Sequence, residues 1–228
     1  IAGAPLALHH QKARALLYYL AATGRSHTRD HLAALLWSES PDSNARHSLR
    51  SSLYHIRQAL QAQSSVRARA VGSGGEGLYW TQSGGLCGPS GRWGELLGDS
   101  DRIYLQPNDE ACDVTHFRRL LTEGLAPIRL ANDASASSFA QARRNESEHA
   151  LAKAVTLYRG PFLQGFTVTD APLFEEWVRF EEHELSQAYL TALQHLTSWA
   201  EERQDFDSAI SYAQRIVQVD PLAEEMQQ

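Results

Sequence analysis

The chain has 228 residues, of which 43% are hydrophobic, and a formal net charge of -6. This composition excludes a disordered chain, and the lack of any apolar run of about eighteen residues excludes a predicted membrane-spanning helix. Residues 1–70 contain nine Lys and Arg against three Asp and Glu, whereas residues 71–228 contain twelve against twenty-four. The basic N-terminal third and the acidic remainder predict two domains with different partners, and the expected partner of the first is a polyanion.

Three helices are predicted at the start of the chain. Residues 11–22 place apolar side chains at helical spacing, and Gly24 ends this helix. The second helix follows Thr28, a suitable N-cap residue, and ends before Pro41. The third helix spans 43–60. Its predicted buried stripe consists of Leu49, Leu53, Ile56 and Leu60.

The third helix, SNARHSLRSSLYHIRQAL, contains no Asp or Glu in a chain that is acidic overall. Its polar face combines arginines along one flank with Asn, His, Ser and Tyr side chains. Arginines suit DNA phosphates and the other side chains suit base edges, so we expect this helix to lie in a DNA groove. The candidate DNA-binding residues are Asn44, Arg46, His47, Arg50, Ser51, Tyr54 and Arg57 in this helix and Arg102 in a later strand.

A plainer interpretation of these residues stays open. A solvated amphipathic helix has the same periodicity. Arg50 is the best single candidate for a DNA contact, and its alternative role is an ion pair with a carboxylate of the second domain. His47 and Tyr54 suit plain solvated surface, and Arg102 suits a strand residue that faces water.

Residues 72–98 contain ten of the fifteen glycines and predict a flexible or hairpin-like excursion. The following DRIYLQ alternates as a strand, with Ile103 and Leu105 on one face. Three helices followed by a glycine-rich hairpin region is the order of a winged helix. Its wing insertion, at about 72–98, is longer than usual.

From Asp113 the pattern is helical and increasingly acidic, with a long helix that begins near Pro172 and a final helix pair joined at residues 203–205. The last helix matches the second helix of a tetratricopeptide repeat at Phe206, Ala209, Tyr212, Ala213 and Ile216, and Asp220-Pro221 ends it. The predicted fold class is therefore mainly α. We expect the chain to be cut inside a repeat array that continues beyond residue 228.

The sequence predicts no metal, no cofactor and no enzyme activity. It has no HExxH motif, and Cys87 and Cys112 fit no metal-ligand spacing, so we interpret them as reduced thiols of a cytoplasmic protein. The stretch GSGGEG lacks the lysine and the strand-to-helix context of a phosphate-binding loop. The glutamate pairs of the long helix have no nucleophile or base placed with them.

Several stretches together resemble the antibiotic-regulatory-protein family of bacterial activators, the SARP/AfsR type. They are KARALLYYLA, TRDHLAALLW, ARHSLRSSLYHIRQAL, the DVTHF start, LYRGPFLQGF, and RQDFDSAISYAQRIVQVDPLAEE, and they occur in the expected order across nearly the whole chain. The resemblance implies an OmpR-type winged helix at 1–107 and a tetratricopeptide-like bacterial transcriptional activator domain at 108–228.

That resemblance also implies partners. The third helix would enter the major groove of double-stranded DNA, and the hairpin after it would contact the neighbouring backbone. The loop at 38–43 would face RNA polymerase, and the helical domain would serve homodimerisation or partner contacts. A transcriptional activator with no membrane partner is thus expected.

One alternative of a different class stays open. The chain could belong to a tetratricopeptide-type interaction and regulatory scaffold of a larger signalling protein, fused to a cyclase or an ATPase. Its winged helix would then bind protein instead of DNA.

Overall fold

The computed structural model describes residues 8–70, 79–80, 86–87, 95–106, 112–130 and 138–219. These ranges are mainly helical, as predicted. The helices are α1 (Gln11–Thr23), α2 (Arg29–Trp37), α3 (Asp42–Ala70), α4 (Asp113–Leu130), α5 (Ser138–Leu157), α6 (Pro172–Glu202) and α7 (Phe206–Val219). The strands are β1 (His27–Thr28), β2 (Tyr79–Trp80), β3 (Leu86–Cys87), β4 (Glu95–Gly98) and β5 (Arg102–Gln106). No helix in the described ranges combines the length and the apolarity needed to cross a membrane.

The chain divides into two compact units, each of them discontinuous in sequence. The first unit comprises Ile1–Thr115 and Phe166–Trp177, and the second comprises His116–Gly165 and Val178–Gln228. A domain boundary between residues 107 and 108 stays a prediction.

In the first unit, the three predicted helices form as expected at their starts. Thr28 caps α2, because its hydroxyl oxygen accepts a hydrogen bond from the backbone N–H of His31 at 3.3 Å. Gly24 ends α1 in the left-handed conformation, with φ 58°. The stripe of α3 is buried at Leu49, Leu53 and Ile56, which are at most 1% exposed, whereas its fourth predicted member, Leu60, is only half-buried.

Helix α3 is longer than predicted. The sequence indicated an end near Leu60, where the apolar stripe stops, but the helix continues to Ala70. Gln, Ala and Arg, which dominate residues 61–70, are good helix formers and favour continuation of the helix. The helix also begins at Asp42, so this carboxylate lies in the first turn, where it suits the positive end of the helix dipole.

The sheet of the first unit has the strand order β1-β5-β4, with both pairs antiparallel. The alternation predicted for β5 is confirmed, because Ile103 and Leu105 are buried and Arg102 and Gln106 are exposed. The turn between β4 and β5 is held by Asp99, whose carboxylate accepts hydrogen bonds from the backbone N–H groups of Asp101 and Arg102. These two backbone bonds lower the pKa of Asp99.

Of the glycine-rich segment 72–98, only 79–80, 86–87 and 95–98 belong to the described residues. Strands β2 and β3 pair antiparallel, with Tyr79 opposite Cys87. The rest of the predicted wing insertion lies outside the described residues.

A strap formed by Phe166–Trp177 completes the first unit against α1. The Phe166 ring lies edge-on to Tyr18 at 5.2 Å between centroids, and Trp177 lies edge-on to Tyr19 at 4.7 Å. Phe174, at the centre of the strap, is fully buried. Polar residues of α1 hold the strap backbone, since Gln11 donates to the carbonyl of Thr167 and Lys12 donates to that of Asp170.

The second unit contains α4, α5, most of α6, and α7. Close helix contact is visible at Gly124 of α4, where an added Cβ would lie 2.6 Å from a methyl carbon of Leu151 in α5. The predicted junction at 203–205 is confirmed between α6 and α7. Arg215 of α7 donates to the Tyr189 hydroxyl in α6 at 2.9 Å and to the Val155 carbonyl in α5, which ties three helices together. The tetratricopeptide character of these helices stays a prediction, and its part beyond residue 219 lies outside the described residues.

Candidate nucleic-acid interface

The polar face of α3 is open to solvent. Six of its seven candidate side chains are exposed and the seventh, Arg57, is half-buried. Tyr54 is 59% exposed, although its ring lies edge-on to that of His55 at 5.7 Å between centroids. The helix therefore presents the seven candidates together, because the stripe opposite them is anchored in the core.

A groove of about 560 Å³, here called the arginine groove, runs beside this face. It lies between one flank of α3, the start of α2 and the turn that joins β4 to β5. Its lining residues are Arg29, Asp30, Arg46, Leu49, Arg50, Leu53, Arg57, Ser100 and Asp101.

The arginines of this groove differ in their hydrogen-bond and ion-pair partners. Arg29 donates through Nε and an Nη atom to the backbone carbonyl of Asp99, so it braces the hairpin turn. Arg46 pairs with the exposed carboxylate of Asp30 at 3.1 Å. Arg50 and Arg57 make no hydrogen bond or ion pair with any other residue in the described ranges. Two guanidinium groups are thus available to an external anion, and a third is held by an exposed carboxylate.

Arg102 lies apart from the arginine groove, at the start of β5. Its Nε donates to the hydroxyl of Ser26 at 3.1 Å. Beside it, the pKa of His27 is lowered to about 4, first by burial and then by electrostatic interactions with His31, Arg25 and Arg102. This end of the sheet is therefore already crowded with positive charge.

A second groove of about 380 Å³, here called the histidine groove, lies between the start of α1, the end of α2 and α3. Its lining residues are His10, Gln11, Lys12, Trp37, His47, Ser48, Ser51, Ser52 and His55. None of these is acidic. The His10 and His55 rings lie 4.6 Å apart, and the ammonium of Lys12 lies 5.7 Å from the centre of the Trp37 ring.

Sequence reasoning did not single out Arg29, Asp30, His10, Lys12 or His55 as parts of these grooves. His55 lies in the acid-free segment 43–60, and its place on the flank of the polar face of α3 was a signal for it. The others come from α1 and α2, and only the packing of those helices on α3 brings them to it.

Among the described residues, no three His, Cys, Asp or Glu side chains are grouped so that they could hold a metal ion. In the comparisons with known proteins, the sequence profile of the bacterial transcriptional activator domain matches residues 112–228. Neither a curated protein nor a solved structure matches the chain.

Proposed function

Because this chain belongs to the bacterial transcriptional activator domain family, we propose that it is a DNA-binding transcription regulator of the SARP/AfsR type that acts as an activator. The domain is typical of SARP-type transcriptional activators, and its family is a class of transcription-regulator domains, not a class of enzymes. DNA binding is assigned to the first unit and partner contacts to the helical domain.

The exposed, acid-free face of α3 is the observation that carries this proposal. An α-helix with its side chains is about 10–12 Å across, and the major groove of B-DNA is about 12 Å wide. In this position Arg46, Arg50 and Arg57 bind phosphates. The base edges are contacted by Asn44, His47, Ser51 and Tyr54, which have the donors and acceptors for direct readout.

The order of elements in the first unit supports an OmpR-type winged helix. Three helices precede a hairpin, and the short strand between α1 and α2 pairs with the second hairpin strand. The hairpin turn itself carries Asp99 and Asp101, whose charges oppose phosphate. Arg102, the first residue after that turn, is therefore the hairpin residue that we assign to the neighbouring DNA backbone.

We assign two further contacts to other parts of the chain. The segment 38–43, which contains the connection between α2 and α3 and the first two residues of α3, is proposed to face RNA polymerase. The helical domain at 108–228 is proposed to serve homodimerisation or contacts with another protein. The winged-helix domain then covers residues 1–107.

The test is fluorescence anisotropy of the chain with DNA duplexes selected by it from a random library, at several salt concentrations. Arg50→Ala is expected to weaken binding by roughly tenfold and to reduce the slope of log K against log salt by about 0.9, the value for one lost phosphate contact. Arg179→Ala, an exposed arginine of α6 in the second unit, is the matched control and should leave both values unchanged. Equal effects of the two variants would contradict the proposal.

The scaffold alternative is favoured by one observation. Phe206 and Ile210 of α7 are 61% and 56% exposed, which suits a protein partner. A folded wild-type chain that selects no duplex even at low salt would support this second function, in which the first unit binds protein.

A further inference from the structure

The two grooves lie on opposite flanks of α3. At about 100° per residue, Arg46, Arg50 and Arg57 fall on one side of the exposed face, and Ser48 and His55 fall on the other. The arginine groove and the histidine groove have no lining residue in common. Each flank of the helix is therefore bordered by its own concave surface.

The chemistry of the histidine groove suits an anion. Every polar side chain in its lining can donate a hydrogen bond, and the lining has no carboxylate. Histidine can carry positive charge near neutral pH, and lysine is a common phosphate ligand. His47 and Ser51 lie at the border between this groove and the exposed face of α3.

Lys12 is the fixed cation of this groove, and its position is defined by the fold. Its Nζ donates to the carbonyl of Asp170 at 3.2 Å. Burial lowers the pKa of Lys12, and the carboxylates of Asp170 and Glu39 act in the opposite direction. Neither carboxylate is part of the groove lining.

A helix that fills the major groove has a phosphate backbone on each side, because its width and that of the groove are nearly equal, about 10–12 Å and about 12 Å. The arginine flank meets one strand. We propose that the histidine groove binds the phosphodiester backbone of the opposite strand, through Lys12, His10 and His55. This inference rests on the proposed function and extends the DNA contact surface to α1.

The test compares His55→Glu with His149→Glu in the 228-residue chain, with the same selected duplexes. Both changes place a carboxylate on a helix, but His149 is exposed on α5 in the second unit. A carboxylate close to a phosphate should weaken binding by roughly tenfold for His55→Glu, and His149→Glu should stay within about twofold of wild type. Lys12→Gln serves as a second variant if His55→Glu lowers the melting temperature, and it should reduce the salt slope by about 0.9.

Phosphate ethylation interference then locates the contacts. Loss of interference is expected on one strand for Arg50→Ala and on the opposite strand for His55→Glu and Lys12→Gln. If these two variants bind like His149→Glu while Arg50→Ala binds weakly, the histidine groove is not a DNA contact and the proposed function stands. If the wild-type chain selects no duplex, both proposals fail together.

The histidine groove could also bind a small free anion, such as inorganic phosphate, in place of the DNA backbone. Inorganic phosphate that raises the melting temperature of the wild-type chain but not that of Lys12→Gln, with DNA affinity equal in the two, would assign the groove to a free anion. That result would overturn the proposed contact with the opposite strand.

Discussion

Arginines serve two different purposes in the two units. Among the described residues of the second unit, four arginines form ion pairs with glutamates. Three of these pairs join residues far apart in sequence: Arg118 with Glu181, Arg144 with Glu202, and Arg203 with Glu148. On α3, Arg50 and Arg57 have no carboxylate partner among the described residues, and Arg46 has an exposed one.

This difference shows why the net charge of the chain says little about its partners. A guanidinium already paired with a glutamate is less available to neutralise a DNA phosphate. Unpaired guanidinium groups can neutralise phosphates and thereby release the cations condensed on the DNA, and this release drives association. Local pairing, not the total of -6, therefore decides which surface attracts a polyanion.

The largest effect is expected when the charge of the unpaired arginines on α3 is reversed, which tests whether they and not the total charge attract DNA. Arg50→Glu with Arg57→Glu should lower DNA affinity by at least roughly 100-fold, because two attractive contacts become repulsive. Arg143→Glu with Arg179→Glu changes the net charge equally, at exposed sites of the second unit. Anisotropy with the selected duplexes should separate the two double variants, and a similar loss in both would show that only total charge matters.

The burial and the positive surroundings of His27 give a prediction on the pH dependence of stability. Its pKa is about 4 in the folded chain and about 6.5 when unfolded, so the unfolded state binds the proton more readily between these values. Stability from this group is complete above pH 6.5 and is lost as pH falls toward 4, and we expect a loss of about 2 kcal/mol. Urea unfolding at pH 7.5 and pH 4.5 should show a smaller difference for His27→Gln than for wild type.

Carboxylates elsewhere in the chain also titrate in this range, so the control must keep them. His149→Gln removes an exposed histidine and should preserve the wild-type difference between the two pH values. A His27→Gln variant with that same difference would contradict the prediction.

The paired arginines of the second unit can be sorted by burial. Glu181 is 6% exposed and pairs with Arg118, so Arg118→Ala leaves a buried carboxylate without this partner. A loss of about 1–3 kcal/mol in unfolding free energy is expected, limited because Arg118 itself is partly solvated. The neighbouring Arg119→Ala removes an exposed pair with Glu123 and should cost about 0.5 kcal/mol or less. Thermal unfolding of both variants would test this order, which equal losses would refute.

The smallest effect is expected at Asp30, the carboxylate that holds Arg46. Asp30→Asn frees this guanidinium and removes a negative charge from the arginine groove. DNA affinity should rise by about twofold to fivefold, in line with the small energy of an exposed ion pair. Asp207→Asn in α7 makes the same change on an exposed site of the second unit and should have no effect on anisotropy titrations. Unchanged or weaker binding by Asp30→Asn would contradict a competition between Asp30 and phosphate.

Sequence alone predicted the local features of the first unit. The buried stripe and the exposed face of α3 follow from the helical repeat of about 3.6 residues, which is visible within the segment itself. The cap at Thr28 depends only on Thr28 and His31, which are three residues apart. The end of α3 was wrong, because the prediction followed apolar periodicity and gave too little weight to the helix propensity of residues 61–70.

The grooves could not be predicted in this way. Asp30 meets Arg46 across two helices, and the hairpin turn meets the arginine flank only when β5 pairs with β1. The strap is the extreme case, since Thr167 and Gln11 are 156 residues apart. A contact between residues so far apart leaves no pattern in the local sequence. The charges of the chain also do not indicate which surface the strap covers.

The strap also sets an order of events during protein synthesis. The ribosome makes about 5–20 residues per second, so roughly 3–12 s separate residue 115 from residue 177. During that interval the nascent first unit lacks Phe174 and Trp177, and the side of α1 that carries Tyr18 and Tyr19 has no cover from them. A gene fragment that stops before residue 166 thus encodes a first unit without part of its own core.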